Sequence, residues 1–216
     1  GFVPALSPPE CGSEATEIRG ETGSVPALPA SAAVADILGM DHGSIQAGLL
    51  ELKPVPGRMS RLNGVLGSTI IDDSYNSSPE AAKVALDYLY SQNAPQRIAL
   101  LGMMNELGSE SARFHSELGE YCDPSRVDRV VTLGEDANSY LASAAEKRGC
   151  VVIRTHSPVE AAKIIAAQMK EGAAILAKGS QNGVYAEEAV KLLLADSADI
   201  SRLVRQHDYW PAKKAK

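Results

Sequence analysis

Between residues 97 and 194 the chain alternates two kinds of segment: short, uninterrupted apolar runs, and longer stretches whose apolar positions recur three and four apart. The runs predict strands over 97–101, 129–133, 150–153 and 173–177, with Gly102, Gly134 and Lys178-Gly179-Ser180 marking strand ends. The longer stretches predict helices over 111–122, 136–148, from Pro158 onward, and over 184–194. In the helix over 111–122 the expected inner face is Phe114, Leu118 and Tyr121, and Ser157 with Glu160 forms a capping box ahead of the helix that follows. A strand that is apolar at every position needs cover on both faces, which a parallel sheet between helical layers provides. Strands alternating with helices imply βαβ crossovers, so the expected fold class is α/β: a Rossmann-like, doubly wound, mostly parallel sheet.

Upstream the pattern changes. Residues 62–66 and 69–72 flank Gly67-Ser68, a pair suited to a type II′ turn, and predict a short antiparallel hairpin at the start of the sheet. A helix then opens at Ser77-Ser78-Pro79-Glu80, with Pro in its first turn, a capping box between Ser77 and Glu80, and Ala81, Ala82, Ala85, Leu86 and Leu89 facing inward. Before Pro54-Val55-Pro56-Gly57, which stops regular structure, residues 30–40 suit a buried helix closed at Gly39 and residues 44–52 a second short one. Residues 1–29, rich in Pro, Gly and Ser, read as irregular. The expected units are therefore a small helical remnant over 1–56, the sheet domain over 57–206, and a tail over 207–216 that docks by Tyr209 and Trp210 and then frays.

With 216 residues, 44% of them hydrophobic, the chain can bury a core without staples. Lys and Arg number 21 against 27 Asp and Glu, a net charge of −6 that disfavours nucleic acid and anionic membranes as partners. No run approaches the roughly 20 apolar residues of a membrane span. No basic region leading into an apolar stretch opens the chain. A cytoplasmic, reducing setting is expected, in keeping with three widely spaced cysteines, Cys11, Cys122 and Cys150.

In doubly wound sheets ligands sit beyond the carboxyl ends of the strands. Here those ends bring Asp72-Asp73-Ser74-Tyr75-Asn76, Gly102, Gly134 and Lys178-Gly179-Ser180 to one rim, the candidate site. Asp72 and Asp73 point to opposite faces, so one of them can face the rim. They read either as turn-forming, helix-capping acids or as a carboxylate for a ribose hydroxyl or an ammonium group. Arg58 reads as a solvated charge or as a planar fork for phosphate or ribose at the domain junction. His115 reads as a half-buried packing residue, and the histidines lack the spacing of metal ligands, so no metal site is expected. Met103-Met104 reads as packing. Neither GxxxxGK[ST], GxGxxG nor GxSxG occurs, so a self-sufficient ATPase, a dinucleotide enzyme and a serine hydrolase are all disfavoured.

Five pieces in series nonetheless resemble the Mur ligase family: Pro56-Gly57-Arg58, Ile71-Asp72-Asp73-Ser74-Tyr75-Asn76-Ser77-Ser78-Pro79, Leu101-Gly102-Met103-Met104-Asn105-Glu106-Leu107-Gly108, His115-Ser116-Glu117-Leu118-Gly119 and Ala177-Lys178-Gly179-Ser180. The likeness covers about residues 28–205 and is to the C-terminal domain, preceded by the end of the central ATPase domain. Within the family it most resembles the MurF type, which adds D-alanyl-D-alanine to a UDP-N-acetylmuramoyl-tripeptide; the Tyr75-Asn76 form of the loop favours that type over other Mur ligases and folylpolyglutamate synthase-like enzymes. The resemblance implies an ATP-dependent amide ligase of peptidoglycan synthesis that works through an acyl phosphate, acts as a monomer, and binds ATP and Mg mainly through the central domain. It implies Arg58 and Asp73 as nucleotide contacts, Tyr75, Asn76, Lys178, Gly179 and Ser180 on the phosphate and amine-substrate side, and His115 and Glu106 as supporting residues. This chain alone, without a P-loop, is expected not to turn over. Met103 and Gln181 replace an acid and an arginine of the family pattern, and Ser78 replaces an asparagine. A non-catalytic Rossmann-like binding module is the alternative those replacements favour.

Overall fold

The computed structural model describes residues 27–51, 55–207 and 209–214; the irregular segment expected at the start of the chain lies outside them up to residue 26. Strands β1 (Ser60–Asn63), β2 (Thr69–Asp73), β3 (Arg97–Gly102), β4 (Arg129–Leu133), β5 (Val152–Thr155) and β6 (Ala174–Lys178) form one sheet in the order β1-β2-β6-β3-β4-β5. β1 is antiparallel to β2 and every other pair is parallel. Helices α3 (Pro79–Ser91), α4 (Ser111–Tyr121), α5 (Ala142–Lys147), α6 (Pro158–Gln168) and α7 (Ala186–Leu193) cover it.

Successive strand residues enter two separate cores, which is why the strands are apolar throughout. Ile70, Ile98, Leu100, Val131, Ile175 and Ala177 pack with α6 and α7. Ile71, Ala99, Leu101, Val130, Ala174 and Leu176 pack with α3 and α4. The chain therefore leaves β6 toward one face and β2 and β3 toward the other, placing a topological switch at the ends of these three adjacent strands.

Local expectations fail where side chains find other partners. The hairpin connection is not a two-residue turn: residues 65–67 form a 3-10 turn with Leu66 and Gly67 at positive φ, and the Gly64 N–H donates to Ser68 O. The capping box on α3 does not form; Ser78 is the N-cap without a side-chain bond and the buried Ser77 Oγ has no partner. Ala81 is exposed. On α6 the cap does form, with the Glu160 N–H donating to Ser157 Oγ at 3.1 Å and the His156 N–H donating to the Glu160 carboxylate at 2.8 Å. The inner face of α4 is turned, so that His115, Leu118 and Gly119 are buried and Tyr121 is exposed, donating to Asp87. The helix expected over 136–148 begins as a π-helical turn, Ala137–Leu141. β5 starts two residues late because Gly149, at φ 94°, and Cys150 close α5: their N–H groups donate to Glu146 O and Ala145 O, a Schellman arrangement.

Helices α1 (Ala27–Ile37) and α2 (His42–Glu51) precede the sheet, but the expected burial is absent among the described residues: Val34, Ile37, Leu38 and Leu50 are exposed, Ile37 by 83%. The tail forms a short helix, α8 (Tyr209–Lys214), in which Trp210 is half-buried and Lys214 makes charged contacts. Tyr209 is exposed, whereas Lys214 Nζ lies 2.9 Å from Glu187 Oε1 and 2.5 Å from Glu188 Oε1. No helix among the described residues is long and apolar enough to cross a membrane.

Candidate functional site

The pleat sorts the two aspartates. Asp72 continues the row of Ile70, toward α7, and Asp73 the row of Ile71. In the parallel register Asp73 lies opposite Lys178, the last residue of β6, and their side chains meet at 2.6 Å with both nearly buried. Lys178 also donates to Asn76 O at 2.7 Å, and Ser180 Oγ donates to Asn76 Oδ1 at 2.8 Å. The second oxygen of Asp73 accepts the Met59 N–H at 3.2 Å. Burial pushes the Asp73 carboxyl up, against the pull of Lys178, and pushes the Lys178 amine down, against the pull of Asp73. Lys178 and Ser180 are thus spent on Asp73 and Asn76. Tyr75, 41% exposed, is the open surface of this loop, with the Arg58 guanidinium stacked 4.3 Å from its ring centroid.

Asp72 is a different kind of group. It is fully buried, one oxygen accepts the Ser74 N–H at 3.2 Å and the other has no partner. Desolvation, with the Glu187 and Asp73 charges nearby, raises its pKa to about 6. It belongs to the underside of the rim.

Glycines bring the strand ends together. A Cβ on Gly102 would stand 2.4 Å from Val184 Cγ1 and 3.1 Å from Gly179 Cα, and one on Gly179 would stand 2.9 Å from the same Val184 methyl. Val184 therefore plugs the floor between β3 and β6, and Gly179 serves close packing. The neighbouring loop 103–108 is pinned from below. The Met104 N–H donates to His115 Nε2 at 2.9 Å, which fixes the proton on Nδ1, facing Ser111 O at 2.8 Å. Burial holds His115 below the usual histidine range, and the neutral ring is what this bond requires. His115 is thus a fully buried support, not a half-buried packing residue. Glu106 is exposed, at φ 66°, and among the described residues it has no ion-pair partner. Met103 packs against the apolar core beside Gly134.

Four residues that sequence reasoning passed over complete the rim. Asn105 donates to Gln181 O and Asn182 O and clamps the loop after Ser180. Arg205, Glu187 and Lys214 form a buried cluster under Tyr75. One signal was legible: Glu187 lies on the apolar stripe of its helix beside Ala186, Val190 and Leu193, a position where a charge needs a partner. A groove of about 700 Å³ between α4 and residues 139–148 contains no rim residue, and its charged side chains Glu120, Lys147 and Arg148 are exposed. The rim, with its buried charges and open aromatic, is the better candidate.

Residues 57–181 match the family described as Mur ligase, glutamate ligase domain. The chain belongs to the Mur ligase family. It is a Mur-ligase-superfamily C-terminal domain. It is 31% identical over 164 residues to the UDP-N-acetylmuramoyl-tripeptide–D-alanyl-D-alanine ligase of Escherichia coli, an alignment covering 76% of this chain and 35% of that protein. A crystal structure of MurF ligase from Thermotoga maritima in complex with ADP superposes with a TM-score of 0.61 at 29% identity, covering 74% of this chain and 35% of that one. A MurF structure from Acinetobacter baumannii gives 0.64 at 26% identity, covering 82% and 36%. The chain thus spans about a third of the length of the relatives it matches.

Proposed function

We propose that this chain is the nucleotide-facing lobe of an ATP-dependent ligase that joins a carboxylate to an amine, as its Mur ligase membership supports. The observation that carries the reading is the juxtaposition of an exposed Tyr75–Arg58 stack with the Asp73 carboxylate at the switch point of the sheet. The stack offers an aromatic face and a fixed cation to a nucleotide. Asp73, its charge compensated by Lys178 and its position fixed by the Met59 N–H, retains lone pairs for ribose hydroxyls. These residues fit ATP. The described residues hold no cluster of three His, Cys, Asp or Glu that could hold a metal, so no residue of this lobe is assigned to Mg and no step is derived through it.

ATP supplies the phosphoryl group that turns the carboxylate into an acyl phosphate, from which the amine displaces phosphate. Arg58, Tyr75 and Asp73 hold the nucleotide in line and help exclude water; Asn76, fixed by Lys178 and Ser180, lines the amine side. The finer reading makes the amine D-alanyl-D-alanine and the carboxylate a UDP-N-acetylmuramoyl-tripeptide, supported by the Tyr75-Asn76 loop and by similarity to the E. coli UDP-N-acetylmuramoyl-tripeptide–D-alanyl-D-alanine ligase. The coarser reading, a Mur-superfamily ligase of another amine, has the broader support. Met103, partly buried against the apolar core where the family pattern has an acid, leaves the rim without that charge and favours the non-catalytic binding module as the alternative.

The test is ATP-dependent phosphate release by this chain supplied with an ATP-binding lobe, with each candidate amine in turn. The exposed Arg58 replaced by alanine is expected to raise the KM for ATP about tenfold with the fold intact. Unchanged kinetics would remove Arg58 and Tyr75 from the nucleotide site, and turnover with glutamate but not D-alanyl-D-alanine would overturn the finer reading.

A further inference from the structure

The loop after β2 turns three successive carbonyls toward two buried cations. Ser74 O and Tyr75 O accept from the Arg205 guanidinium at 2.6 and 3.0 Å, and Asn76 O accepts from Lys178 at 2.7 Å. Arg205 comes from beyond α7, 130 residues later in the chain. Its other edge is a bidentate pair with the fully buried Glu187, both contacts at 2.8 Å. The Tyr75 N–H donates to Gly57 O at 3.0 Å, so this peptide is held on both sides, by the Arg58 segment and by Arg205. Arg205 itself sits at φ 55°, a left-handed conformation that a non-glycine residue keeps when its surroundings over-determine it.

We propose that Arg205, aimed by Glu187, is a positioning residue for ligation: it sets the Ser74–Asn76 loop so that Tyr75 meets Arg58 and Asp73 in binding geometry. The proposal rests on the rim being the nucleotide site. A planar fork is required, since one edge must grip a carboxylate while the other reaches two carbonyls; an ammonium can satisfy the charge without the geometry. The network tolerates the test because Lys214 Nζ, 2.9 Å from Glu187 Oε1, keeps that carboxylate paired when Arg205 is changed.

The experiment is the backbone amide spectrum of the isotope-labelled chain, with thermal unfolding measured alongside. Arg205→Lys and Glu187→Gln are each expected to shift and broaden the amides of Ser74, Tyr75 and Asn76 while β3, β4 and their helices keep their peaks. Added guanidinium ion is expected to restore those amides in Arg205→Ala, and MgADP is expected to bind Arg205→Lys about tenfold more weakly than the parent chain. Loop amides that stay in place in both variants overturn the proposal, as does uniform loss of stability with no local signature. If the parent chain itself fails to bind MgADP, the nucleotide reading of the rim falls, and the loop amides still decide whether Arg205 sets the loop.

Discussion

Replacing Lys178 with methionine keeps the volume of the stem and deletes the charge that faces Asp73. At 2.6 Å the attraction is roughly 6 kcal/mol for an effective dielectric of about 20. Several kcal/mol of desolvation per ion oppose it, so the pair as a whole contributes little, whereas breaking it from one side leaves an uncompensated carboxylate in a site only 6% exposed. Lys178→Met should therefore cost about 3–5 kcal/mol. With a urea m-value near 2 kcal/mol/M the unfolding midpoint falls by about 2 M at unchanged m. Asp73→Asn combined with Lys178→Met removes both charges and should recover most of that loss, to within about 1 kcal/mol of the parent. Urea titrations of the parent, both single variants and the double variant close the cycle. A Lys178→Met chain within about 1 kcal/mol of the parent, or a double variant no better than the single, would refute the pair as the strut that holds the rim.

Two further outcomes follow from the underside of the rim. Asp72 has a folded pKa of about 6 against an ordinary 3.8, so the folded state holds the extra proton between these values and the carboxylate's cost appears as pH rises through that window. Asp72→Asn should accordingly stabilise the chain by roughly 3 kcal/mol at neutral pH, and by almost nothing at about pH 4; equal gains at both, read from urea midpoints, would contradict the assignment. Gly102→Ala drives a methyl into Val184 and should cost about 1–3 kcal/mol, largely relieved by Val184→Ala in the same chain; a thermal melt showing no such relief would place the strain elsewhere.

The sheet was legible because its signal is redundant. Continuous apolar runs, their glycine or lysine ends and the helical spacing between them all agree, and each observed strand from β3 onward lies within two residues of its expected place. The rim was legible as a list of strand ends, and the pleat argument allowed only one of Asp72 and Asp73 to face it, the family resemblance pointing to Asp73. Less legible was everything decided by a partner distant in sequence. The hairpin connection was missed for a local reason: residues 65–67 form a 3-10 turn that Ser68 closes, its Oγ donating to Val65 O. His115 turns inward because the Met104 N–H needs an acceptor. Lys178 looked available, but the Asp73–Lys178 register hides it. Arg205 carried no local sign at all, since its carbonyl partners lie 130 and 131 residues away.

The central claim is that the Arg58–Tyr75–Asp73 rim receives a nucleotide, and titrating the isotope-labelled chain with MgADP tests it most directly. The account predicts saturable shifts at the amides of Arg58, Asp73, Tyr75 and Asn76, weakened by Arg58→Ala. Shifts confined to the groove lined by Ser116, Tyr140 and Lys147, or none at the rim at millimolar nucleotide, would contradict it.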